Sequence, residues 1–218
     1  MGDLTKSPST TVRRDDRGSY DRELAYAILD EAMIAHVGFV IDERPFVIPM
    51  VFGRDGDRLL LHGSVATRLT RSLSKGAPVC VTVTLVDGLV MARSQFHHSM
   101  NYRSVVIVGD ARRVEDPAAA ERALEVVVDH IARGRTAEAR STSRVELRQT
   151  SVIEIPIDTA SVKVRTGPPI DDDDDLALEV WAGVIPVRTV YGTPEPDELT
   201  AARPLDPSIA ALVAPPSA

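Results

Sequence analysis

AHVGFVIDERPFVIPMVFGRDGDRLLLHGS, Ala35 to Ser64, sets the β character of the chain. It holds three short apolar runs, VGFVI, PFVIPMVFG and DRLLLHG, rich in the aliphatic and aromatic side chains that favour strands. Between the last two, GRDGD contains Asp-Gly, a strong signal for a tight hairpin. Pro49 inside the middle run cannot donate to a ladder, so it belongs at an edge, a bulge or a cleft.

Outward from this stretch the same grammar continues. A helix capped by Ser19 or Asp21 fits YDRELAYAILDEAMIAH, because Leu24, Ile28, Ala32 and Ala35 recur at helical spacing and Gly38 follows as a stop. VATRLTRSLSKG reads as a short helix ended by Gly76. PVCVTVTLV and SVVIVGDARRVE read as two more strands. DPAAAERALEVVVDHIARG has proline near its first position and Gly134 at its end, the order expected of a helix, and TSVIEIPID is a further strand. Short strands, antiparallel hairpin signals and few helices predict a mainly β protein, a closed or nearly closed antiparallel barrel with helices against its outside. We divide the chain into an N-terminal arm at 1–18 with almost nothing to bury, one domain at 19–190, and a loose Pro-, Glu- and Ala-rich tail at 191–218.

Composition narrows the function. The chain has 218 residues, 44% of them hydrophobic and 26% charged, in the range of an ordinary globular protein with a sizeable core. Its net charge of −7 argues against a nucleic-acid or anionic-membrane partner, while leaving room for a local basic pocket. The single cysteine, Cys80, excludes an internal disulfide and any CxxC motif, and in PVCVTVTLV it reads as a buried, inert thiol. No basic-then-apolar leader and no bilayer-length apolar run is present, so a cytoplasmic location is expected.

ARSQFHHSMNYRSVVIVGDARRV, Ala92 to Val114, crowds His97, His98, Asn101, Tyr102 and Arg103 before an apolar run. On a strand the two histidines would point to opposite faces, which is poor geometry for a shared metal, and we expect none. The doublet instead fits a loop between two strands, with one ring packed and the other facing a cleft or a partner. Asp171 to Asp175 reads as a solvated loop, since adjacent carboxylates repel and the residues of a calcium loop are missing.

Ala35–Ser64 together with GAPVCVTVTLVDGLVMARSQFHHSMNYRSVVIVGDA resembles the FMN-binding split-barrel proteins related to pyridoxamine 5′-phosphate oxidase, nearest the nitroimidazole-resistance and flavin-nucleotide-binding branch, over about residues 19–190. The resemblance implies a six-stranded antiparallel split β-barrel and a homodimer holding FMN in clefts at the subunit interface. It implies that Ser64, Thr67 and Arg68 hold the FMN phosphate, with His62 and Gly63 approaching the ribityl chain or the ring. It places Val47, Ile48, Pro49 and Met50 along the isoalloxazine. Arg103 takes the family's basic position and Ser104 stands where the family has an amide, a departure that leaves the ring to backbone or water. The residues alone are equally compatible with a solvated helix start and ordinary core positions. Trp181 could stack on the flavin, close the cleft or pack in the core. Lys163 and Arg165 are candidates for the cleft rim, and the oxidase's clamp on the vitamin phosphate has no match here.

The activity this implies is an FMN-dependent reductase or oxidase of a small planar, possibly nitro-aromatic, compound, with His62 as proton donor or substrate contact. Two alternatives remain open. One is a flavin carrier or sensor without turnover; the other is a haem- or deazaflavin-binding relative, for which His62 or His98 would be the axial candidates.

Overall fold

In chain order the computed structural model, which describes residues 2–214, forms the following elements. They are β1 (Gly18–Ser19), α1 (Arg22–Glu31), β2 (Ile34–Ile41), β3 (Arg44–Asp55), β4 (Arg58–Ser64), α2 (Arg68–Leu73), β5 (Pro78–Met91) and β6 (Ser99–Asp110). Then follow β7 (Arg112–Arg113), α3 (Pro117–Ile131), α4 (Arg144–Gln149), β8 (Thr150–Pro156), β9 (Ala160–Arg165), β10 (Gly183–Pro186) and α5 (Pro207–Leu212). The pairs β1–β9, β10–β5, β2–β5, β3–β4, β4–β8, β6–β9 and β7–β8 are antiparallel, so the expected mainly β class holds. There are ten strands among the described residues where six were expected; two of the additional ones, β1 and β7, are only two residues long.

The chain divides into two compact units. The first comprises the chain up to Pro49, Val79–Gly109 and Ile157–Thr189. Its strands run in the order β1-β9-β6-β5-β2 and then the first half of β3, with β10 on the far part of β5. Along β2, Ala35, Val37 and Phe39 are buried while Ile34, His36 and Val40 face out. That two-residue period ends α1 five residues before the expected point: once burial alternates, a helix can no longer cover it. Asp21 caps α1 by accepting from the Glu23 and Leu24 amides, as expected. Gly38, expected as a helix stop, lies within β2 opposite Cys80, where a Cβ would stand 3.2 Å from the Cys80 carbonyl oxygen.

The same period corrects the reading of the cysteine. Val79, Val81 and Val83 turn inward on β5, so Cys80 falls on the opposite face and is exposed. The N-terminal segment also differs from expectation. Leu4 and Thr10 are buried, the Leu4 amide donates to the Tyr20 carbonyl, and Thr5 bridges to Thr159. One apolar anchor and backbone pairing tie down a stretch whose polar composition concealed them.

The second unit comprises Met50–Pro78, Asp110–Pro156 and the chain from Val190. Its strands follow the order β3-β4-β8-β7. The expected Asp-Gly hairpin joins β3 to β4, with Gly56 at positive φ. Helix α3, capped by Asp116 and followed by Gly134 in the left-handed region, packs Ala120, Ala123 and Val127 on Leu60 and Val152. Contact is close at Gly53, where a Cβ would lie 3.0 Å from the Val127 Cα. In the C-terminal stretch expected to be loose, α5 forms, Ser208 donates to Glu138, and Asp206 pairs with Arg135.

Gly53→Val tests this packing. The added side chain meets helix backbone that cannot move cheaply, so the variant should lose about 1–3 kcal/mol of stability, read by urea unfolding.

Candidate functional site

The expected phosphate turn lies in the second unit, between β4 and α2. It is built by its own hydroxyls. The Thr67 side chain caps α2 by accepting from the Thr70 amide, and the Thr67 and Thr70 hydroxyls are 2.8 Å apart. The Thr70 hydroxyl also donates to the Ser64 carbonyl at 2.6 Å, and the Ser64 hydroxyl accepts from the Ala66 amide. Gly63 is needed here because a Cβ would meet the Thr70 methyl at 3.0 Å. Arg68 is exposed on the first turn of α2. Since α2 spans only six residues, its aligned dipoles are a small part of any anion attraction.

Beside this turn is a cavity of about 240 Å³ that sequence reasoning missed. Thr70, Ser74 and Ser151 supply hydroxyls to it, and Arg71, Lys75 and Arg113 supply positive charge. Arg71 and Lys75 are four apart, a spacing that could have marked one helical face. Ser151 and Arg113 come from β8 and β7, and nothing local in the sequence announces them.

His62 follows three buried leucines on β4 and is itself exposed. Neighbouring protein nonetheless desolvates its ring enough to lower its pKa below the ordinary histidine value.

The remaining candidates belong to the first unit, apart from Met50, which is half-buried at the start of the second unit's part of β3. On β3, Val47 is 66% exposed, Pro49 is exposed and Ile48 is half-buried, so Val47 and Pro49 are surface rather than core. Arg103, expected to offer charge to a ligand, is committed elsewhere. Its guanidinium makes four hydrogen bonds to Glu31 and Asp87, which raise its pKa further. Ser104 donates to the Lys163 carbonyl at 3.3 Å. Lys163 lies over the Tyr102 ring. Trp181 is 65% exposed and rests against Gly183, which removes core packing from its alternatives.

Arg165 is not on a rim. It is 6% exposed, donates to Asn101 and to the Gly167 and Pro168 carbonyls, and its buried Nε makes no hydrogen bond among the described residues. Burial lowers its pKa.

The histidine doublet lies in the loop between β5 and β6, as expected, and its rings do different work. His97 Nδ1 is 2.9 Å from the Ser94 hydroxyl, and the ring comes together with Asp171 and Asp175, all three half-buried. Asp171 corrects the solvated-loop reading. Its carboxylate is 2% exposed and accepts from the backbone and guanidinium of Arg93. Burial pushes its pKa up, but these hydrogen bonds outweigh it and hold the group below the ordinary carboxylate value. His98 is exposed, with Nδ1 2.8 Å from the Ser94 carbonyl, and exposed Phe96 and Met100 flank it.

Comparison with known proteins agrees with this fold. The pyridoxamine 5′-phosphate oxidase family model matches residues 21–164, and the chain belongs to that family. No curated protein matches it. Among solved structures, the flavocytochrome Anf3 from Azotobacter vinelandii is 41% identical, with a TM-score of 0.88 over 94% of this chain and 97% of that one. An FAD- and haem-binding protein from Mycobacterium smegmatis is 38% identical, with a TM-score of 0.87 over 90% of this chain and 97% of that one. A Bacteroides thetaiotaomicron protein assigned to 5-nitroimidazole antibiotic resistance is 26% identical, with a TM-score of 0.58 over 67% of this chain and 86% of that one. The mostly antiparallel sheet with few helices is the split-barrel class of this family. No helix of the described residues is long and apolar enough to cross a membrane.

The desolvated imidazole has a consequence for pH. Because the unfolded chain binds a proton at His62 more readily, stability gains from this residue as pH rises through the ordinary histidine range and is lost as pH falls below it. NMR titration should place the His62 midpoint below 6.5, the ordinary value; a midpoint at or above it would mean the ring is not desolvated.

Proposed function

We propose that the protein binds a flavin nucleotide and exchanges electrons with a small planar compound. The observation that carries this reading is the 41% identity, across 94% of the chain, to a flavocytochrome. The residues present fit such a group: a hydroxyl-rich turn beside a cationic cavity suits phosphate, and exposed apolar strand residues suit a flat ring. The bound flavin would supply the redox chemistry.

The chain's own residues would bind, orient and exclude water. Ser64, Thr67 and Arg68 are assigned to the phosphate, Arg68 with an exposed cationic head and the two hydroxyls by exchanging a local hydrogen bond for one to the ligand. Val47, Ile48, Pro49 and Met50 are assigned to the ring face, Ser104 to its polar edge, and Trp181 to stacking. Gly63 acts by letting the turn close. Arg103 is assigned a positioning part, holding Glu31 and Asp87 rather than the phosphate. His62, with its lowered pKa, is a neutral imidazole at pH 7 and can accept a proton from substrate or donate its ring N–H.

The protein is proposed to act as a homodimer, because the outer face of the first unit's sheet leaves Ile34, Val40, Val47 and Cys80 uncovered. Freshly purified protein should be yellow, release one flavin per chain, and run on light scattering at twice the chain mass of 23.6 kDa. Colourless protein that leaves the fluorescence of added flavin unquenched would refute flavin binding, and a monomer at micromolar concentration would refute the dimer.

Haem is the second reading, and His98 favours it. With Nδ1 held by the Ser94 carbonyl, its Nε2 makes no hydrogen bond among the described residues, and Phe96 and Met100 offer apolar surface beside it. That pattern fixes an imidazole tautomer with Nε2 free to ligate a metal. Haemin titration should produce a Soret band that His98→Ala abolishes and His62→Ala leaves. The reverse pattern would transfer the axial role to His62, and no band would remove haem from the reading.

A further inference from the structure

We infer that His97, Asp171 and Asp175 form a site for a divalent transition-metal ion, which ties the loop between β5 and β6 to the loop after β9. The site stands apart from the flavin reading and does not rest on it. One ligand atom from each of the three residues lies within 4.8 Å of the other two. The two histidines of the doublet part company, as their adjacency implies: His98 turns to the Ser94 carbonyl. His97 is met instead by carboxylates from a loop far along the chain, which no local spacing announces.

The imidazole stands among carboxylates without bonding to any of them. Its Nδ1 is 2.9 Å from the Ser94 hydroxyl, and the ring meets Phe96 edge-on. Its Nε2 makes no hydrogen bond among the described residues; the Asp172 carboxylate is 3.9 Å from it. An imidazolium simply paired with a carboxylate would close to a hydrogen bond of about 2.8 Å. The gap left here is the space of a shared cation. With metal–ligand distances of about 2.0–2.2 Å, two ligand atoms on one ion lie roughly 3–4 Å apart, so a contraction of under about 1 Å completes the site. An outer partner on the second ring nitrogen, the part Ser94 plays, is what orients a ligating imidazole.

Charge asks for the same occupant. The Asp171 carboxylate is 2% exposed and accepts from the backbone and guanidinium of Arg93, which fix its orientation and leave it lone pairs to spare. Asp172 and Asp175 add two further carboxylates around the ring, with Arg93 the guanidinium paired to this group. Three negative charges against one positive leave two uncompensated, and a dication balances them. Ligand type then selects among ions. Imidazole with carboxylates suits Zn²⁺, Mn²⁺ or Fe²⁺, whereas Ca²⁺ and Mg²⁺ favour oxygen alone.

The experiment strips the full chain with EDTA, removes the chelator, and titrates Zn²⁺, Co²⁺ and Ca²⁺ by calorimetry. One Zn²⁺ should bind per chain and raise the thermal midpoint by about 5 °C at a hundredfold excess over Kd. Co²⁺ should develop visible d–d absorption that Zn²⁺ then displaces. His97→Ala and Asp175→Asn should each weaken Zn²⁺ binding at least about tenfold, while Asp173→Asn and Asp174→Asn, at exposed positions, stay within about twofold. Circular dichroism without metal verifies that each variant folds. Should His97→Ala fail there, Asp175→Asn at its half-buried position carries the test alone. No saturable Zn²⁺ binding, or binding that survives both substitutions, overturns the inference. Ca²⁺ binding as tight as Zn²⁺ and indifferent to His97→Ala overturns it too, and makes the acidic run a plain oxygen site.

Discussion

Val37 and Val81 face each other across β2 and β5, both fully buried, while their neighbours Gly38 and Cys80 form the next pair on the opposite face. The pairing of β2 with β5 follows from that pleat. Burial on one face fixes the register, because a slip by one residue would put Val79, Val81 and Val83 in water and turn Cys80, Thr82 and Thr84 into the core. The pleat also decides what is available for chemistry. Val47 and Cys80 lie on the surface for the same reason that Val37 and Val81 do not.

In the second unit the corresponding constraint is close approach. Gly53 lets α3 come down on β3, and Gly63 lets Thr70 come up beneath the β4–α2 turn. Thr70 then binds the Ser64 carbonyl and the Thr67 hydroxyl, so helix, turn and strand end share one buried hydroxyl. The same hydroxyl faces the cationic cavity. Thr70, which in RLTRSL looks like ordinary helix filler, thus both ties the turn together and lines the cavity.

Charged groups divide along a related line. Arg103 and Arg93 are held by carboxylates and serve as ties within the first unit. Arg165 is buried and donates to the Asn101 side-chain amide and to the Gly167 and Pro168 carbonyls instead of to a carboxylate. Arg71, Lys75 and Arg113 stand in the second unit around a volume lined with hydroxyls. A guanidinium between two carboxylates has its charge compensated within the chain, whereas the cations around these hydroxyls face no carboxylate among the cavity's lining residues.

Features that depend on neighbours along the chain could be read from the residues directly. Alternation in VGFVI and CVTVTLV, Asp-Gly at Asp55-Gly56, the caps Asp21 and Asp116, and the left-handed Gly76 and Gly134 are local, and so the strands, hairpin, helix starts and fold class were legible. The family likeness rested on the same local runs. Partnership between distant residues came from the folded chain. It turned Cys80 outward, gave Arg103 to Glu31 and Asp87, buried Asp171 against Arg93, tied Leu4 down, and brought Arg113 and Ser151 to Arg71 and Lys75. The reason is physical: a side chain's period is set by backbone geometry within a few residues, while its burial and its ion pairs are set by whichever strand the sheet places beside it.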